Sequence, residues 1–155
     1  MSKVVRRKSL EDSVCAVARS LDLIGDWWTL LIVREALSGA KRFGEFQKNL
    51  GMAKNILSVR LRSMVDNGIM EMVTPEGGQA YYEYVLTEQG KALTPVLVAL
   101  AQWGGDYLFD AKEKSSLLLD AKKRRPLRPL ELRSQDGKLL GVDDIFVPPT
   151  PSGAA

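Results

Sequence analysis

The stretch from Arg42 to Gly90 switches its apolar period from helical to alternating, and nothing else in the chain limits the fold so narrowly. Phe43 to Leu50 reads as a short helix with Phe43, Phe46 and Leu50 facing inward, and Gly51 supplies a tight turn. A second helix, about Ala53 to Asn67, stripes Leu57, Leu61, Met64 and Val65 along one face. Asn55, Ser58, Val59 and Arg62 lie opposite, with Lys54 in the first turn. Asn67-Gly68 is a helix C-cap pair. Ile69 to Thr74 and Tyr81 to Leu86 then alternate as strands, joined through Pro75-Glu76-Gly77-Gly78. Two helices about a Gly-bearing turn, the second with a basic outer face, are what a helix-turn-helix needs to enter a major groove. The hairpin behind them supplies a wing. The expected fold is mainly α with a small β-hairpin.

Composition narrows the chemistry. At 155 residues the chain is most simply one domain. A hydrophobic content of 45% and a charged content of 26% are ordinary for a soluble globular protein. A net charge of +3 permits a nucleic-acid partner without requiring one. The cations are clustered: Lys3, Arg6, Arg7 and Lys8 form a basic arm able to supply phosphate contacts, and Lys122, Lys123, Arg124 and Arg125 form a second group. Histidine is absent, which rules out imidazole general bases, His-based triads and zincin sites. There is no glycine-rich dinucleotide or phosphate-loop motif. The expectation is no enzyme, no metal and no cofactor. Cys15 is the single cysteine, so an intramolecular disulfide framework is excluded. The longest apolar runs, Trp27 to Val33 and Val96 to Ala101, are too short to span a bilayer, and Met1 to Leu10 is polar. The expected location is the cytoplasm, with no membrane partner.

Elsewhere, Ser9 and Asp12 have the spacing of a capping box opening a helix that carries Val14, Val17, Ala18, Leu21 and Ile24 on one face. Gly25-Asp26 breaks it. The next helix begins at Trp27, is apolar almost all round through Val33, and ends at Ser38-Gly39. Thr87-Glu88 starts a long helix striped by Leu93, Val96, Leu97, Leu100, Trp103 and Tyr107, with Pro95 tolerable only in its first turns. These two segments carry more apolar surface than one small lobe can cover, which predicts a C2 homodimer. Leu127 to Arg133 and Lys138 to Leu140 flank Ser134-Gln135-Asp136-Gly137, a hairpin signal. The expected organisation is a basic arm (1–8), a DNA-binding domain with dimerisation helices (9–110), an extension bearing a hairpin (111–147) and a disordered tail (148–155).

Several groups of residues then fall into a known order. They are Cys15 and Leu21-Asp22-Leu23-Ile24-Gly25, Trp28-Thr29-Leu30-Leu31-Ile32 with Arg34-Glu35, and Arg42-Phe43 with Glu45-Phe46. Ala53-Lys54-Asn55-Ile56-Leu57-Ser58 with Arg60-Leu61 follows, then Glu83-Tyr84, Leu86-Thr87-Glu88 with Gly90, and Trp103-Gly104. Over roughly Cys15 to Leu108 the chain resembles the HxlR-type bacterial transcriptional regulators, MarR relatives with a winged helix-turn-helix. The resemblance implies a homodimer joined through terminal helices and bound to a pseudo-palindromic operator in double-stranded DNA. Two departures stand out. Met72 follows Glu71 where such families usually carry Arg, and Tyr81 or Tyr82 occupies the place of an Arg on the returning wing strand.

In that context Lys54, Asn55, Ser58, Val59 and Arg62 are the candidates for base readout. Asn suits adenine, Arg suits guanine and Val59 suits a thymine methyl, against the plain alternative of a solvated helix face. Lys41, Arg42 and Lys48 are candidate phosphate contacts. Arg60, at the edge of the apolar stripe, has two open roles: a phosphate contact, or a pair with an acid such as Glu45. Cys15 takes the position of a redox-sensing thiol in some relatives; a small buried packing residue is the other reading. Trp27, Trp28 and Trp103 could line a pocket for a small-molecule effector, although aromatic residues in such helices are more often core. A contrasting reading of the whole chain is a winged-helix module that binds a protein partner instead of DNA.

Overall fold

Helix α1 (Ala16–Ile24) begins well after Ser9 in the computed structural model, which describes residues 8–78, 80–115 and 118–149. The expected capping box does not form. Ser9 donates its hydroxyl to Asp22 Oδ2 at 2.9 Å and accepts the Glu11 N–H at 3.2 Å, so it closes a local turn instead. Cys15 is the N-cap residue, its own N–H donated to Ser13 Oγ at 3.1 Å. The expected inner face of α1 is also corrected: the helix has no fully buried residue, and Val14, Val17 and Leu21 are exposed. Lys3, Arg6 and Arg7 of the basic arm, and 150–155 of the tail, lie outside the described residues.

The chain divides into two compact units, one spanning the described residues up to Gly90 and the other Lys91–Val147. In the first, α2 (Trp27–Leu37) starts where Asp26 Oδ1 accepts the N–H groups of Trp28 at 2.9 Å and Thr29 at 3.0 Å. It packs against α3 (Phe43–Leu50), α4 (Lys54–Asp66) and the second wing strand. Ile32, Val33, Phe46, Leu57 and Leu61 are fully buried there, with Met64 and Met70 almost so. Gly51 joins α3 to α4 at φ 62°, a left-handed conformation that glycine adopts without penalty. Strands β1 (Met70–Val73) and β2 (Glu83–Leu86) pair antiparallel with Met70 opposite Leu86 and Val73 opposite Glu83. Both are shorter than the alternation suggested. Thr87 ties the hairpin to the end of α4, since its N–H reaches the Ile69 carbonyl at 3.1 Å and its hydroxyl the Gly68 carbonyl.

The expected long helix from Thr87 is two helices. A single turn, α5 (Glu88–Lys91), precedes α6 (Thr94–Tyr107), and Pro95 sits in the first turn of α6, where its missing N–H costs nothing. Of the expected stripe on α6 only Leu97 is buried, together with Val98; Val96, Leu100, Trp103 and Tyr107 are exposed. The extension lies along α6. The Gln102 amide donates to the Arg128 carbonyl at 2.9 Å and accepts the Leu130 N–H at 2.8 Å. The hairpin beyond it pairs β3 (Leu132–Arg133) with β4 (Leu139–Leu140) across a turn in which Gly137 has φ 90°.

Candidate nucleic-acid interface

Burial of Leu57, Leu61 and Met64 fixes the rotation of α4. The opposite side of the helix therefore faces solvent: Lys54, Asn55, Val59 and Arg62 are exposed and Ser58 is half-buried. Val59 is 64% exposed, an apolar side chain held in water on a polar face. Ammonium, amide, hydroxyl, guanidinium and methyl groups on one helix face form the set of groups that reads base edges in a major groove. All five candidates for base readout are brought together on this helix.

The segment before α3 carries Lys41 and Arg42, both exposed, and α3 itself exposes Lys48. Glu45 holds the segment in place, its Oε2 accepting the N–H groups of Lys41 at 2.8 Å and Arg42 at 2.9 Å. The Arg42 N–H, then the Lys41 N–H and the charges of both side chains, hold the Glu45 carboxyl below its ordinary 4.5 despite a small opposing effect of burial. Tyr84 donates its N–H to the Lys41 carbonyl at 2.7 Å, so the segment runs beside strand β2, and Lys41 Nζ stands 4.0 Å from Glu83.

Arg60 takes the second of its two open roles, with a different acid. Its Nη1 lies 3.3 Å from Asp26 Oδ2, and its Nε is buried without a partner. Glu45 does not serve, because its carboxylate is engaged by the backbone of Lys41 and Arg42. Arg60 thus joins α4 to the cap of α2. Cys15 is half-buried, and the nearest cation along its helix, Arg19, donates its Nε to the Ser13 carbonyl. Trp27 is 87% exposed and Trp28 half-buried in the first unit; Trp103 belongs to the second, 57% exposed and 5.8 Å from the Tyr107 ring.

Two partners were not legible in advance. Asp26 reads in sequence only as a helix break, and its tie to Arg60 spans two helices. Tyr81 reads only as a missing cation, yet its ring lies under the Arg42 guanidinium, 4.1 Å from centroid to Cζ, and its hydroxyl accepts from Arg42 Nη2. Beside this pair is an open cleft of about 300 Å³ lined by Arg42, Phe43, Gly44, Tyr81, Tyr82 and Tyr84. No group of three or more His, Cys, Asp or Glu side chains placed to hold a metal ion occurs among the described residues.

The chain is similar to known proteins. The family model described as HxlR-like helix-turn-helix matches residues 23–112. An uncharacterized HTH-type transcriptional regulator of Mycobacterium tuberculosis, Rv3095, is 45% identical over 93 residues, which cover 60% of this chain and 59% of that protein. The chain thus spans about three-fifths of the length of the curated relatives it matches first. The crystal structure of PA1607, a candidate transcription factor, superposes with a TM-score of 0.86 at 48% identity, over 91% of this chain and 99% of that one. The redox regulator HypR in its reduced form is similar at a TM-score of 0.54 and 29% identity, over 59% of this chain and 92% of that one.

Proposed function

This chain belongs to the HxlR-like helix-turn-helix family of transcriptional regulators, and we propose that it binds a pseudo-palindromic DNA operator as a homodimer. The family and the relatives are regulators of transcription, not enzymes. One observation carries the reading: the face of α4 opposite its buried Leu57–Leu61–Met64 stripe presents Lys54, Asn55, Val59 and Arg62 to solvent. In this reading α4 enters the major groove, Asn55 and Arg62 read base edges, and Ser58 and Val59 adjust the fit. Lys41, Arg42 and Lys48 grip phosphates and set the register. Arg60 acts indirectly, by holding α4 against the cap of α2. A DNA partner puts the protein in the cytoplasm.

The dimer is supported by two uncovered apolar faces: Val14 just before α1 with Val17 and Leu21 on it, and Val96, Leu100, Trp103 and Tyr107 on α6. A second copy packed on either face would take that apolar surface out of water. Footprinting and gel retardation on the region upstream of the protein's own gene test the whole reading. Two protected half-sites about one helical turn apart, weakening steeply with salt, are expected. Salt-insensitive or absent DNA binding would sink it.

The second reading, a winged-helix module for a protein partner, is favoured by the wing itself. From Ile69 to Leu86 there are three acids, Glu71, Glu76 and Glu83, and no Lys or Arg. Two forms of control belong with the first reading. A small effector would bind near Trp27, Trp28 or Trp103, and would be seen as tryptophan quenching coupled to release of DNA. Modification of the Cys15 thiol would change operator affinity, as the similarity to a redox regulator suggests. Cys15→Ser would then bind DNA normally and ignore diamide.

A further inference from the structure

The wing as a hairpin is electrostatically unsuited to a phosphate backbone. Its three glutamates give it a formal charge of −3, with no cation of its own from Ile69 to Leu86. Like charges facing a polyanion lower affinity, so a wing that approaches DNA needs a cation from elsewhere in the fold. Among the described residues two cations reach it, both from the segment before α3. Lys41 Nζ faces Glu83 at 4.0 Å, so it already has an acid beside it. Arg42 reaches the loop that enters β2 on the tip side of the Val73–Glu83 pair and lies over the Tyr81 ring, with Cζ 4.1 Å from the centroid. There Nη2 donates to the Tyr81 hydroxyl, which leaves Nη1 and Nε of Arg42 without a hydrogen-bond partner among the described residues.

We propose that Tyr81 is a positioning residue that holds Arg42 as the wing's phosphate grip. The aromatic face fixes the plane of the guanidinium, and the hydroxyl occupies one of its donors. The remaining N–H groups, exposed beside the cleft lined by Tyr82 and Tyr84, are directed at one phosphodiester of the DNA backbone. An exposed arginine left to itself samples many rotamers. A stacked one has lost that freedom before DNA arrives, so less binding free energy is spent in ordering it. The contact is made to phosphate, so it raises affinity on every sequence and carries no base preference. The inference rests on the DNA-binding reading above and adds to it the residue that makes an acidic wing compatible with DNA.

The experiment is a mutant cycle in the full-length chain, with binding to operator and to random duplex followed by fluorescence anisotropy across a salt series. Arg42→Ala should weaken both DNAs by roughly ten- to a hundredfold and lower the salt slope by about 0.9, the value for one phosphate contact. Tyr81→Ala should weaken both by about two- to fivefold, and Tyr81→Phe, which keeps the ring, should lose less. In the Arg42→Ala background Tyr81→Ala should change nothing further. Tyr81→Arg in that background should recover both affinity and slope, because it puts the cation directly on the wing, in the loop entering β2. In the DNA-free protein, the Arg42 Nε–H resonance should carry a ring-current shift that Tyr81→Ala removes. Equal losses from Tyr81→Ala with and without Arg42, or a ring-current shift that never existed, would overturn the positioning role alone. If the wild-type protein shows no salt-sensitive binding to any DNA, the DNA-binding reading fails and takes this proposal with it.

Discussion

Asp26 does three things with one carboxylate. It caps α2 through Trp28 and Thr29, accepts the Thr29 hydroxyl, and pairs with Arg60 of α4. Burial alone would raise its pKa; the Thr29 hydroxyl, the Thr29 and Trp28 N–H groups and the Arg60 charge together outweigh that and hold it below the ordinary 3.8. A carboxyl with a lowered folded pKa stabilises the fold above its unfolded value, and that contribution fades as the pH falls through the folded value. Asp26→Asn should therefore flatten the dependence of urea-unfolding stability on pH below about 4, and a slope equal to wild type there would refute it. Asp26→Ala loses the cap as well and strands the Arg60 guanidinium, costing about 1–3 kcal/mol at neutral pH. The candidate reading residues make a separate prediction. Asn55→Ala and Arg62→Ala should each cost about 1–3 kcal/mol and relax preference at one base position per half-site. Equal losses on operator and random DNA would reassign them to phosphate or to structure.

At the scale of elements, the wing is aimed by a close packing at its base. Gly90, in α5, lies so near the Ile69 backbone that a Cβ there would come within 2.1 Å of the carbonyl oxygen that Thr87 also uses. No side-chain rotation relieves a clash with backbone, so Gly90→Ala must push the start of β1 away from α5. A loss of about 1–3 kcal/mol is expected by thermal or chemical unfolding, together with weaker DNA binding as the Arg42–Tyr81 pair shifts with the hairpin. Unchanged stability would mean that the two segments separate freely. The extension has its own fastening in Gln102, whose amide is matched to the backbone of Arg128 and Leu130, so its attachment to α6 is specific instead of merely apolar.

At the scale of the molecule, α6 keeps Leu97 and Val98 covered while Val96, Leu100, Trp103 and Tyr107 stay in water. Among the described residues nothing covers that stripe, and a C2 partner laid on it would take it out of water. Light scattering at micromolar concentration should give the dimer mass for the wild-type chain. Leu100→Glu with Trp103→Glu should give the monomer mass with an unchanged circular dichroism spectrum, and should lose operator affinity through loss of the second half-site. A wild-type monomer at that concentration would remove the dimer from the functional reading.

The local elements from α3 to the wing are legible in the sequence alone. The apolar spacing of Leu57, Leu61 and Met64, the left-handed glycines 51 and 68, and the alternation about Pro75–Gly78 suffice to write a helix, turn, helix and hairpin in order. They also place Lys54, Asn55, Ser58, Val59 and Arg62 on one face, because a helix with a buried stripe has only one way to turn its remaining side chains. What tertiary structure decided is which side chain meets which across elements. Ser9 bonds to Asp22 instead of opening α1, Arg60 finds Asp26 instead of Glu45, and Arg42 finds Tyr81. The apolar face expected to be core on α1 and most of that on α6 stay uncovered in one chain. Periodicity reports that a face is apolar, but only the packed neighbours decide what covers it, and those neighbours are set by helix crossings and loop paths that no local pattern encodes.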